Sequence, residues 1–274
     1  MQKHLLLTIS DDPSALFGAR FVNSFFQNKD QIKFTLLYII PQTAKHTEIT
    51  PPREEEDNTC DLALEGAMSS LMSSGFMSEH VYCKVKKRMV SKAKDIIAEG
   101  NRGLYDAIVL GRRGISRLEE LFNDSVSIQV LEANRKVPIW ICRQPEADRR
   151  NVLVGVDGSE ESMRAVDHAG FFLADEAQHT VTLLHIDQGE SPPGTVFQEA
   201  RKRLEEHAIA DSRITEKAIE SSNPAAAIAE EANAGAFSAV VVGYTGKGRR
   251  GLFTIGSVAT KLAYDLTGSA LWIV

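Results

Sequence analysis

The sequence predicts an α/β protein of two similar doubly wound domains, each a five-stranded, mostly parallel sheet flanked by helices. Three observations predict it. Short apolar runs alternate along the chain with stretches of helical periodicity. Several of those runs are apolar throughout, as in strands that helices cover on both faces. And the chain repeats itself. Leu5 to Ser10 aligns with Val152 to Asp157, and Phe34 to Ile39 with Val181 to Ile186, both at an offset of 147 residues. Asp106 to Gly111 aligns with Ser238 to Gly243, and Val137 to Ile141 with Ser269 to Ile273, both at an offset of 132.

The second copy is therefore fifteen residues shorter, and the difference falls after the second strand. There the first copy carries Pro41 to Asp57, a polar, proline-containing stretch that reads as a loop. The seam between copies lies in Gln144 to Arg150, which is charged and lacks apolar periodicity, so the domains are placed at 1–146 and 147–274. In the second copy strands are expected near 152–157, 181–186, 213–219, 239–243 and 269–274, with helices near 159–174, 195–209, 223–235 and 257–267. Ser159 suits an N-cap, and Asn223-Pro224 is a cap followed by proline at the first helical position. Strand–helix alternation implies right-handed crossovers and a parallel sheet. Such a sheet binds ligands at the carboxyl ends of its strands, where the order reverses. The first and fourth strands of the second copy would flank that point and end at Asp157 and Gly243.

At 274 residues and 43% hydrophobic content the chain has material for two ordinary cores. A net charge of -6 argues against a general nucleic-acid binder. No apolar run is long enough to span a bilayer, and the N-terminus shows no signal-peptide cleavage pattern. Three scattered cysteines, Cys60, Cys83 and Cys142, suit a reducing compartment and lack metal-ligand spacing. A cytoplasmic protein is the expectation.

Chemistry concentrates in Gly243-Tyr244-Thr245-Gly246, followed after nine residues by Gly256-Ser257. The stretch leaves an apolar strand and enters an amphipathic segment. Glycine lets the backbone turn sharply and approach a ligand closely. A Gly-Ser pair opening a helix offers free N–H groups where the helix dipole favours an anion. The pattern reads as a phosphate cradle, although it is neither GxxxxGK[ST] nor GxGxxG. A plain strand-to-helix turn is the alternative. Lys247, Arg249 and Arg250 either neutralise phosphates or form a solvated basic loop.

These residues resemble the universal stress protein family. The resemblance rests on the acid ending a strand, Asp157 in Val-Gly-Val-Asp-Gly-Ser, and on the G-x2-G-x9-G-[S/T] signature at Gly243, Gly246, Gly256 and Ser257. With the repeat it extends to nearly the whole chain, as a tandem two-domain member with an adenine nucleotide alpha hydrolase-like fold. It implies a site for ATP, or AMP or ADP, with Mg²⁺ or Mn²⁺ accompanying the phosphates. Asp157 would accept from the adenine amino group, and the backbone near Ile186 and Val242 would line the base. Gly243 and Gly246 would approach ribose and phosphates, and Gly256, Ser257 and Val258 would donate to the phosphate chain. Read without the family, an acid ending a strand just before a helix, as Asp157 does, is often an N-cap or turn former.

The first copy departs from the pattern at both ends. Ser10 stands where the second has Asp157, and Asp124, before Ser125, stands where it has Gly256. A carboxylate there would cap its own helix and repel phosphate. The expectation is one nucleotide per chain, in the second domain. Arg112, Arg113 and Arg117 leave room for another anion or are an exposed charged loop.

No His-Asp-Ser or Cys-His set falls at the strand ends, and no second acid is placed as a general base, so an efficient enzyme is not expected. The function expected is ATP binding that alters conformation or partner binding in stress response or regulation. The alternatives are a slow ATPase or autophosphorylating enzyme, and a nucleotide-free small-ligand scaffold. Both copies end in an apolar strand containing a tryptophan, Trp140 or Trp272. The family pairs such strands between subunits, which implies an intramolecular pseudo-dimer here and leaves a further homodimer open. Neither nucleic acid nor membrane is an expected partner.

Overall fold

The computed structural model describes residues 2–40, 53–112 (backbone only over 53–58), 126–133, 136–189, 192–247 and 255–274. The chain forms two compact units, Met1–Val137 and Pro138–Val274, each with helices flanking a mostly parallel sheet. The first unit runs β1 (Lys3–Ile9), α1 (Leu16–Phe25), β2 (Ile32–Ile40), α2 (Arg53–Ser73), β3 (Val81–Lys87), α3 (Lys92–Arg102), β4 (Ala107–Gly111) and α4 (Val126–Ala133). Its strands lie in the order β3-β2-β1-β4, all parallel. The second runs β5 (Ile139–Cys142), β6 (Arg150–Gly155), α5 (Glu160–Leu173), β7 (Val181–Asp187), α6 (Pro193–Glu206), β8 (Ile214–Glu220), α7 (Pro224–Ala234), β9 (Phe237–Val242), α8 (Ser257–Asp265) and β10 (Ala270–Ile273). Its order is β5-β10-β9-β6-β7-β8, parallel except for β5 against β10.

The apolar runs become the sheet cores. Leu5, Leu6 and Leu7 of β1, like Val152, Leu153 and Val154 of β6, are buried because helices cover both faces. Ser159 caps α5, its Oγ accepting the Ser162 N–H at 3.1 Å, and Asn223 caps α7 with Pro224 following. Ser91 caps α3 at the position matching Asn223.

Two expectations change. Pro41 to Asp57 is not wholly a loop, since α2 begins at Arg53 and residues 41–52 lie outside the described part. The helix is 21 residues long against 14 in α6, so part of the first repeat's extra length is helix. And β5, the last strand of the first repeat, groups with the second unit, because it pairs antiparallel with β10. Trp140 stands opposite Trp272 in that pair, with rings stacked 3.9 Å apart and 2° from parallel. The Trp140 indole N–H donates to His168 Nε2 of α5 at 2.9 Å.

Candidate functional site

In the second unit β6 has β7 on one side and β9 on the other, and the strand order reverses between β6 and β9. A cavity of ≈ 720 Å³ lies at the carboxyl ends of these strands. The eight residues singled out in the sequence, Asp157, Ile186, Val242, Gly243, Gly246, Gly256, Ser257 and Val258, all line it.

Asp157 follows β6 and is braced from two sides. Its Oδ1 accepts the Ser159 backbone N–H at 2.9 Å and the Ser159 hydroxyl, and its Oδ2 accepts the Lys247 backbone N–H at 2.9 Å. Burial pushes its pKa up, but hydrogen bonds from Ser159, Lys247 and Ser162 outweigh burial and hold it below the usual carboxylate value. The group is an anionic acceptor that ties the start of α5 to the glycine loop. The contact with Ser159 is the turn-forming role that the sequence offered for Asp157, whereas the tie to Lys247 was not legible there.

Each signature glycine has a protein neighbour. A Cβ on Gly243 would come within 2.8–2.9 Å of the Glu161 and Ser162 backbone, so glycine lets the first turn of α5 close on the end of β9. Gly111 plays the same part in the first unit, where a Cβ would meet the Ser14 carbonyl oxygen at 2.1 Å. A Cβ on Gly246 would lie 2.6 Å from Asp157 Oδ2. Within the protein, the close neighbours of Gly243 and Gly246 are the first turn of α5 and the Asp157 carboxylate. Gly243→Ala is therefore expected to lower unfolding stability by about 1–3 kcal/mol, read as the shift in the denaturant midpoint.

Gly256 is the N-cap of α8 and has no side-chain capping bond, so the helix presents its first N–H groups beside the cavity without a competing side chain. The other end of α8 is anchored by Arg143, which donates to the carbonyls of Ala263 at 2.9 Å and Tyr264 at 3.3 Å. A second helix start, Asn223-Pro224 of α7, reaches the same cavity, as do Ser222, Gln188 and Lys261. The sequence alone does not place these at the site. Lys261 follows Ser257 by four positions and shares its helix face, a signal that was available. Among the described residues no three His, Cys, Asp or Glu side chains gather as a metal-binding group.

Lys247 lies at the cavity, whereas Arg249 and Arg250 fall outside the described residues. So do Arg113, Gly114, Arg117, Asp124 and Ser125 of the first copy. At the described end of that copy, past β1, the Tyr38 hydroxyl donates to Asp11, and Asp12 accepts the Ser14 N–H at 2.9 Å. Among the described residues no helix is long and apolar enough to cross a membrane.

With this geometry in place, residues 148–269 match the model of the universal stress protein family. Residues 148–269 are a universal stress protein domain. Over its whole length the chain is similar to a universal stress protein from Archaeoglobus fulgidus DSM 4304, at 20% identity and a TM-score of 0.71, covering 98% of this chain and 97% of that one. It is also similar to a functionally unknown protein from Pseudomonas aeruginosa PAO1, at 18% identity and a TM-score of 0.61, covering 100% and 92%. Both likenesses concern the fold, and they extend it to the half that precedes the universal stress protein domain. No curated protein matches the chain significantly in sequence.

Proposed function

We propose that the protein binds one adenine nucleotide, ATP or else AMP or ADP, in its universal stress protein domain. It acts in stress response or regulation by a nucleotide-dependent change of conformation or partner binding. The observation that carries this reading is the convergence of an ionised Asp157 and the uncapped start of α8 on one cavity. A carboxylate only accepts and helix-start N–H groups only donate, which matches an amino-bearing base at one end and phosphates at the other. Asp157 would take the adenine amino group, with Ile186 and Val242 beside the base. Gly243 and Gly246 would lie beside the ribose and phosphates. Gly256, Ser257 and Val258 would bind the phosphate chain, and Lys261 would add charge. Mg²⁺ or Mn²⁺ would be held chiefly by phosphate oxygens.

Slow ATP hydrolysis or autophosphorylation at Ser257 fits the same site and is the second reading, favoured by a hydroxyl at the helix start. We further propose a cytoplasmic protein whose repeats join as an intramolecular pseudo-dimer, supported by the antiparallel β5–β10 pair. Native mass spectrometry of freshly purified protein is expected to show a retained adenine nucleotide, and calorimetric titration of stripped protein one ATP per chain. Two equivalent sites, or none, would overturn the reading.

A further inference from the structure

The two units carry corresponding edge strands with different chemistry. Among the described residues β3 pairs with β2 alone, and β8 with β7 alone. The strands correspond by register, Val81 lying beside Phe34 and Ile214 beside its counterpart Val181, so that Val81 to Lys87 matches Ile214 to Glu220. Positions that are Thr215, Glu216 and Ala218 in β8 are Tyr82, Cys83 and Val85 in β3. The two residues before the helix cap are Ser221 and Ser222 in the second unit but Met89 and Val90 in the first. Tyr82, Val85, Met89 and Val90 are 50%, 46%, 81% and 66% exposed, four of the seven exposed large apolar side chains among the described residues.

This stretch is held firmly. Arg88 donates its backbone N–H to the Ile40 carbonyl at 3.0 Å, and Met89 and Val90 donate theirs to Asp95 Oδ2 at 2.8 and 3.4 Å. The apolar pair is thus presented on ordered backbone, which spares a binding partner the cost of ordering it. Because the Arg88 N–H faces β2, strand alternation turns the N–H and C=O groups of Lys87, Val85 and Cys83 outward. Lys84, Lys86, Lys87 and Arg88 put four cations into five residues of a chain whose net charge is -6. Buried Glu99 takes Lys84 at 2.7 Å and also Lys86, leaving the edge basic. Such charge repels a second β3 edge, so self-pairing is disfavoured.

We propose that Tyr82–Val90 is a docking edge for an extended partner segment that is both acidic and apolar, added as a strand beside β3. Its main chain would pair with Cys83, Val85 and Lys87; its acids would meet Lys84, Lys86 and Arg88 on one face of the strand, and its apolar side chains Val85 and Met89 on the other. The edge is separate from the nucleotide cavity, so the proposal is independent of the ATP reading.

The probe is a fluorescein-labelled peptide, Asp-Ile-Asp-Val-Glu-Ile-Glu, titrated with the full chain by anisotropy. Its control replaces every acid with lysine. The acidic peptide is expected to bind at least tenfold tighter, with slowed hydrogen exchange in segment 81–90. Val85→Pro removes an outward N–H without touching the bonds to β2 and is expected to abolish binding, while Ala218→Pro on the β8 edge has no effect. Arg88→Glu and Met89→Asp, side-chain changes that leave the ladder intact, are expected to weaken binding tenfold or more. Equal binding of both peptides, no binding, or binding that survives Arg88→Glu and Met89→Asp would overturn the proposal. So would a dimer, seen by sedimentation, that Met89→Asp dissolves, since the edge would then belong to a second copy.

Discussion

Gly256→Asp is expected to abolish ATP binding at ordinary concentrations while leaving the fold intact. The position has φ -66° and ψ 149°, a conformation open to any L-residue, so the backbone is not strained. A Cβ there would lie 3.2 Å from Thr245 Cα and from the Tyr244 carbonyl oxygen, a tight contact that a shift of a few tenths of an ångström relieves. The carboxylate would act as an N-cap, accepting the helix-start N–H groups that phosphate would otherwise use. Its charge would oppose phosphate in the same place. Lost donors and like-charge repulsion together cost about 3 kcal/mol, roughly a hundredfold in Kd. The melting temperature should hold or rise, because the helix gains a cap, and calorimetric titration should show little or no heat of binding. Gly256→Ala separates the steric part and is expected to cost less than tenfold. The substitution copies the first repeat, which has Asp124 at this position. Unchanged ATP affinity in Gly256→Asp would remove the start of α8 from the phosphate site.

Much of this architecture is legible because strands covered on both faces must be apolar throughout, and repetition marks the same runs twice. The start of α2 was not legible for the complementary reason. Among the described side chains its buried stripe is Cys60, Leu64, Ala67 and Leu71, at helical spacing. The turns before it carry Glu54, Glu55, Glu56 and Asp57, which look like loop by composition although acids at a helix start are favoured by the dipole. At the site, Asp157 and the glycine loop were found because each ends a strand. Ser222 was not legible because its place depends on where the starts of α7 and α8 converge, a tertiary fact, whereas the four-residue spacing of Ser257 and Lys261 did carry a signal. The glycines show the same limit. Sequence marks a position where a side chain is unwelcome, and only the neighbours, Glu161 at Gly243 and Asp157 at Gly246, say why.

Lowering the pH from 7 to 5 is expected to destabilise the second unit by about 2 kcal/mol through His168 alone. The ring lies among Trp140, Trp272 and Phe172, and burial pushes its pKa down from 6.5 to about 3. Its Nε2 accepts the Trp140 indole N–H at 2.9 Å, so the folded state needs that nitrogen unprotonated. Between pH 3 and 6.5 the unfolded chain therefore binds more protons at this residue than the folded one. Stability rises with pH across that window, levels off above 6.5, and is lost as pH falls through it. Glu99 and Asp157, whose pKa values are lowered from 4.5 and 3.8, lose their contributions only at more acid pH and stay outside the range tested. His4, also lowered, chiefly by burial, adds a share of the same sign from the first unit. His168→Gln keeps an acceptor for Trp140 but cannot titrate. The difference between parent and variant in unfolding midpoint, followed from pH 7 to 5, cancels every other titrating group. A parent that loses stability while His168→Gln loses about 2 kcal/mol less is the expected result. Identical slopes would mean that the Trp140–His168 contact is not held by a neutral ring.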